Sequence, residues 1–188
     1  MVLDPLRLFL LLGLVLHKGV WEVLKRRHST PRPSSTPAVV FIKLAKIAML
    51  AGLCAQTVLP EVLPILSEPM TLRLWGGLIF AAGLAVAITA RFQLGRQWSD
   101  IESSSVAADH RIIEHGVYRF IRHPIYTGDV LLIAGLELAL NSWLVLAVIP
   151  LALAVFLKAK SEEEALAHSL SGYDEYQSRT KRFFPFVI

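Results

Sequence analysis

From Tyr126 to Leu157 the chain carries only two charged side chains, Asp129 and Glu137. A bilayer core takes about 20 residues as a helix, so this run is too long for one crossing. Asn141-Ser142, a polar turn signal, sits near its middle. The run therefore reads as a tight helical hairpin whose first arm, about Thr127 to Leu140, is short and tilts or thins the bilayer. Three more apolar stretches precede it. They cover roughly Pro5 to Leu24, Val39 to Leu59 or as far as Leu66, and Thr71 to Leu94. The expectation is an all-α, polytopic membrane protein with five transmembrane helices. Composition agrees: 54 % of the 188 residues are hydrophobic, against about 45–50 % in soluble domains.

Positive charge tests the count of five. Lys25, Arg26, Arg27 and Arg32 follow the first stretch, and the connection 60–70 holds only Glu61 and Glu68. Arg91, Arg96, Arg111, Arg119 and Arg122 follow the third stretch, and the Asn141 turn is uncharged. The tail holds Lys158, Lys160, Arg179, Lys181 and Arg182. Basic and non-basic connections alternate, which places the N-terminus outside and the tail in the cytoplasm. A four-span arrangement would put the cluster 118–129 and the tail on opposite sides. Asp4 and Arg7 precede the first apolar run, His17 and Lys18 interrupt it, and no small-x-small site follows. It reads as a retained anchor, not a signal peptide.

The chain fits one membrane domain, residues 1–188, with three spans in 1–93 and the motif-bearing part in 94–188. The Pro/Ser-rich stretch 29–37 is a linker. Cys54 is the lone cysteine, so no intrachain disulfide and no zinc spacing exists. Dinucleotide, P-loop, H-E-x-x-H and G-x-S-x-G signatures are absent. A net charge of +4 gives no sign of nucleic-acid binding, and no metal is expected.

The densest polar cluster lies at the mouth of the hairpin: Y-R-F-I-R-H-P-I-Y-T-G-D, residues 118–129. Pro124 cannot continue a helix backward and restricts His123 to extended conformations. Gly116 and Gly128 permit close backbone approach. Such a shaped loop at membrane depth is tolerated when buried in protein or lining a wet cavity. The hairpin brings it beside K-A-K-S-E-E-E-A-L, residues 158–166, where Lys158 and Glu162 are one turn apart. L-G-R-Q-W-S, residues 94–99, converges on the same side. Each stretch alone has an ordinary reading, as interfacial anchors or a solvated helix end. At matched depth they read as a site.

The ordered set of L-G-x-x-W-S, H-x-I-I-x-x-G-x-Y-x-x-x-R-H-P-x-Y-x-G, E-E-x-x-L and Y-x-x-Y…R-x-x-P-F resembles the isoprenylcysteine carboxyl methyltransferase family, and the related phospholipid N-methyltransferases, over about Leu94 to Val187. The resemblance implies S-adenosylmethionine as methyl donor in a cytoplasmic pocket, and a lipophilic or prenylated acceptor entering from the bilayer. It implies His110, Ile113, Gly116, Tyr118, His123, Pro124 and Tyr126 as a cofactor cradle, with Glu162 and Glu163 as the paired acids. Arg122 matches a position implicated in catalysis, and Glu163 and Lys158 join it. Lys158 departs from the arginine common there, keeping the charge but not the bidentate fork. Tyr173 and Tyr176 keep the tyrosine spacing in a shortened segment.

A carboxylate acceptor is already ionised and needs no base, whereas an amine must lose a proton, and Glu163 is then the candidate base. The residues leave O- and N-methylation open. A nicotinamide-dependent membrane reductase and a non-catalytic scaffold are the remaining rivals. Asp129 and Glu137, eight residues apart on one helical face, are functional candidates as intramembrane acids, or interfacial residues. Trp98 is a stacking or anchor residue, His17 and Lys18 snorkel, and His28 and His168 read as surface residues.

Overall fold

Two helices meet closely enough to exclude side chains between them. In the computed structural model, which describes residues 4–27, 36–59, 61–97 and 111–185, α3 (Met70–Leu94) and α4 (Pro124–Ala139) run antiparallel along a seam of glycines. A Cβ at Gly76 would fall into the backbone of Ala139, and one at Gly135 into the backbone of Phe80. A Cβ at Gly83 would meet the backbone of Leu132, and one at Gly128 would come within 2.6 Å of the Ala87 backbone nitrogen. Small residues let helices approach where lipid supplies no hydrophobic drive, so backbone contact and dispersion hold this pair.

The other elements are arranged around that pair. α1 (Pro5–Arg27) packs Leu10 and Leu14 against Phe80, Leu132, Leu136 and Ala139, the main apolar cluster. α2 (Pro37–Val58) begins at Thr36, whose hydroxyl accepts from Val39 N, with Pro37 in the first turn. α5 (Val148–Ser169) follows a 3₁₀ turn over Trp143–Ala147, and the short α6 (Tyr173–Arg179) follows α5. No strand is present among the described residues; two isolated bridges, Pro64 with Ser142 and Ile121 with Lys181, are the β-type pairings.

The turn expected at Asn141-Ser142 is there, and it is fully buried. Asn141 adopts φ +57°, a left-handed conformation that asparagine tolerates. Its amide donates to Leu66 O at 2.8 Å and its side-chain oxygen accepts from Leu66 N at 3.0 Å. The connection 61–66 thus clamps the turn. At the same end Asp4 pairs with Arg73 at 2.6 Å, and Arg7 donates to the carbonyls of Thr57 and Leu59.

Among the described residues, three helical segments are long and apolar enough to cross a membrane: Pro37–Val58, Met70–Leu94 and Trp143–Ser169. α4, with 16 residues, is about 24 Å long, short of the roughly 30 Å hydrocarbon core.

Candidate functional site

His123 has φ −120° and ψ 54°, outside the extended region expected of a residue before proline, and Pro124 opens α4 as its first residue. The proline has no N–H to lose there. This break sets Arg122 and His123 at the mouth of α4, facing α5. The C-terminal tail completes the wall. After α6 it turns back beside residues 120–123, with Lys181 N donating to Phe120 O (3.1 Å), Arg122 N to Lys181 O (2.8 Å) and His123 N to Arg182 O (3.0 Å). Thr127 Oγ1 donates to Phe183 O at 3.1 Å. Tyr176, buried in α6, donates its hydroxyl to Tyr118 O at 2.8 Å.

Glu163 is the hub of this enclosure. It is 3 % exposed, and four side chains reach it. Arg122 Nε donates to Oε1 at 2.8 Å, Arg182 Nη2 to Oε2 at 2.7 Å, and Gln177 Nε2 to Oε2 at 3.2 Å. His123 Nε2 lies 3.1 Å from Oε1. An ionised carboxylate only accepts, so Nε2 carries the proton in that contact. The hydrogen bond to Glu163 raises the Arg182 guanidinium above its ordinary value, so the tail arginine is a fixed cation. Arg122 Nη1 also donates to the carbonyls of Gln177 (3.1 Å) and Thr180. The Arg182 guanidinium lies over the Phe156 ring at 5.1 Å.

Glu162 is different. It is 29 % exposed as a side chain, accepts from Tyr126 Oη at 2.7 Å and pairs with Lys158 at 3.6 Å. His123 Nδ1 lies 3.8 Å from it, so His123 stands between the two acids. Glu163 has its oxygens taken up by the cluster, whereas Glu162 keeps an accessible edge.

A second cluster adjoins the first. Tyr118 and Ile113 pack with Ala90, Leu94, Val117, Ile125 and Trp21. Gly116 has φ +61°, and a Cβ there would collide with the Gln93 amide, which accepts from Val117 N at 2.9 Å. Only glycine meets both demands. Burial pushes the Tyr118 hydroxyl well above its ordinary pKa, so it stays a neutral donor, and its oxygen has no hydrogen-bond partner among the described residues.

The structure thus brings Arg122, His123, Tyr126, Lys158, Glu162 and Glu163 together, and places Ile113, Gly116, Tyr118 and Pro124 next to them. His110 and Trp98 lie outside the described residues. Arg182 and Gln177 join this cluster through Glu163, and sequence reasoning did not assign them, although R-x-x-P-F contains the first. Asp129 pairs with His17 at 2.9 Å, with His17 stacked on Trp21. Glu137 is buried at the far end of α4 and accepts from Gln56 at 2.8 Å. Neither acid belongs to the Glu163 cluster.

A model of the isoprenylcysteine carboxyl methyltransferase family matches residues 75–168, half of the chain. The chain belongs to that family. Relatives include the cobalt-zinc-cadmium resistance protein of Cupriavidus metallidurans, 34 % identical over 49 % of this chain and 43 % of its own length. The protein-S-isoprenylcysteine O-methyltransferase of Schizosaccharomyces pombe is 28 % identical over 53 % of this chain and 43 % of its own length. These alignments span less than half of each relative. A probable protein-S-isoprenylcysteine O-methyltransferase of Oryza sativa is 24 % identical over 92 % of both chains. The solved structure of a eukaryotic intramembrane Ras methyltransferase, an isoprenylcysteine carboxyl methyltransferase, superposes with a TM-score of 0.60 at 18 % identity, covering 99 % of this chain and 70 % of that one. The shared fold and the three apolar helices make this family member an integral membrane protein.

Proposed function

We propose that this protein is a membrane methyltransferase that uses S-adenosylmethionine to methylate the carboxylate of a lipophilic acceptor such as a prenylated cysteine. The observation that carries the reading is the convergence of the motif residues Arg122, His123, Tyr126, Glu162 and Glu163 in one enclosure at the mouth of α4. Membership of the family supports the class of reaction.

The residues present fit such a donor. Tyr118 offers a buried hydroxyl with no partner among the described residues, and Glu162 is a partly buried carboxylate suited to a cation. When bound, the cofactor supplies an activated methyl group on a sulfonium centre, transferred in line to the acceptor oxygen.

The chain's own part is positioning and charge. Glu163 holds Arg122 and Arg182 against each other, so two like charges share one rigid frame. Glu162, steered by Tyr126 and Lys158, takes the role of cation partner. Arg122 and Lys158 are placed to draw in an anionic acceptor group. A carboxylate acceptor is ionised at neutral pH, so no base is required, and none of the Glu163 lone pairs is left open for one. Pre-ordered positioning is worth up to roughly 7–11 kcal/mol of barrier. Stripping water from the acceptor at the membrane edge adds to it.

The same reading places five helices across the bilayer, α1 and the short α4 included, with the site and tail on the cytoplasmic side. The alternating end contacts support this: Asp4 with Arg73 and Ile65 with Asn141 at one end, the Glu163 cluster at the other.

The test is methyl transfer from labelled S-adenosylmethionine in nanodiscs, with S-farnesylcysteine, its carboxamide and phosphatidylethanolamine as acceptors. Alkali-labile label on the free acid alone is expected. Alkali-stable label on phosphatidylethanolamine alone would contradict carboxylate methylation and assign N-methylation instead.

A further inference from the structure

A crevice of about 430 Å³ opens at the other end of α4 from the Glu163 cluster. α2 contributes Met49 and Leu53, α4 contributes Ile133, and the turn into α5 contributes Leu144 and Val148. Two side chains break this apolar wall. Gln56 and Glu137 both line the crevice, both are at least nine-tenths buried, and Gln56 Nε2 donates to Glu137 Oε2 at 2.8 Å.

The volume and lining are those of a small-molecule site: apolar walls with a few placed polar groups. Glu137 lies eleven residues beyond Tyr126 on α4, roughly 16 Å along the axis. The crevice is therefore a place separate from the methyl-transfer centre. The Gln56 amide spends one N–H on Glu137, which leaves its second N–H, its carbonyl and the remaining carboxyl lone pairs. A guest must be apolar along its length and bring one small polar group that both donates and accepts, as a hydroxyl does. Hydrocarbon alone would leave the remaining N–H and lone pairs of this pair unmatched, which is costly in a medium that offers no water.

We infer that this crevice binds a single-chain lipid alcohol from the bilayer, with its hydroxyl donating to the Gln56–Glu137 pair and its chain lying between α2 and α5. This is a second lipid site, independent of the identity of the methyl acceptor. A purely structural tie between α2 and α4 would show no preference for a hydroxyl.

Full-length protein in nanodiscs can be photolabelled with a diazirine-bearing hexadecanol, the labelled peptides being mapped by mass spectrometry. Saturable labelling of 49–59 and 133–137 is expected, competed by hexadecan-1-ol roughly tenfold better than by its methyl ether, the factor that one net hydrogen bond supplies. Glu137→Leu should erase that difference. Leu53→Trp, which fills the crevice and keeps the polar pair, should abolish labelling and covers the case in which Glu137→Leu fails to fold. Equal competition by alcohol and ether, or labelling unchanged in Leu53→Trp, would overturn the assignment.

Discussion

At the residue scale the cluster depends on Glu163. Without its carboxylate, Arg122 and Arg182 face each other with no counter-charge, and breaking one partner from a buried ion pair costs about 3–5 kcal/mol. Glu163→Ala is therefore expected to lose product binding and to lower stability in detergent unfolding by that order. Unchanged affinity for S-adenosylhomocysteine in a folded Glu163→Ala protein would remove Glu163 from the site. Arg182→Ala should weaken binding as well, and Arg182→Lys should rescue it only partly, because Lys lacks the fork that engages Glu163 through Nε and Nη2. Equal binding in Arg182→Lys and the parent would contradict that geometry. Tyr176→Phe is expected to be more damaging than Tyr173→Phe, since the Tyr176 hydroxyl bonds the Tyr118 carbonyl. Detergent unfolding of the two variants checks this, at about 1–3 kcal/mol for the lost buried bond. Much of this site was legible. Arg122, His123 and the paired acids stand in spaced motifs whose order is informative. Arg182 and Gln177 were not assigned, because their role depends on a tail that folds back sixty residues along the chain beside Phe120, and no local pattern encodes that return. The division of labour between Glu162 and Glu163 was also hidden, since adjacent acids look alike until their neighbours are known.

At the element scale the decisive pairing is α3 with α4. Gly76 and Gly83 are seven apart, as are Gly128 and Gly135. The spacing was visible in the sequence, but only the structure shows that both sets face one seam. Gly135→Val places a side chain into the Phe80 backbone. Overpacking costs about 1–3 kcal/mol where side chains can yield, and here backbone would have to yield, so the cost lies at or above that range. Gly19→Ala and Gly52→Ala meet open space. Folded yield by size-exclusion chromatography should collapse for Gly135→Val and hold for the other two; a normal profile for Gly135→Val would refute the seam. The hairpin turn was the best-read element. Asn141-Ser142 interrupts the apolar run, and the structure bends there. Its clamp by Leu66 and Ile65 was not legible, because the connection 61–66 lacks any pattern that announces a partner.

At the scale of the whole molecule, apolar runs and alternating basic loops carry the architecture. The all-helical fold follows from hydropathy alone. The crossing count does not, because α4 is short and α1 holds His17 and Lys18. Five crossings predict that exposed positions Glu68 and Glu175 lie on opposite sides. With Cys54 replaced by Ala, a membrane-impermeant maleimide applied to intact cells should label Glu68→Cys and spare Glu175→Cys. Labelling of both, or of the second alone, would contradict the proposed topology. In the proposed function, that topology would set a water-soluble charged donor at the edge where a membrane-soluble acceptor arrives.

The most direct measurement is calorimetric titration of the purified protein with S-adenosylhomocysteine, with a reduced nicotinamide as control. Micromolar binding of the former, lost in Glu163→Ala and absent for the nicotinamide, is the predicted result. A folded protein that takes up the nicotinamide and leaves S-adenosylhomocysteine unbound would contradict the account.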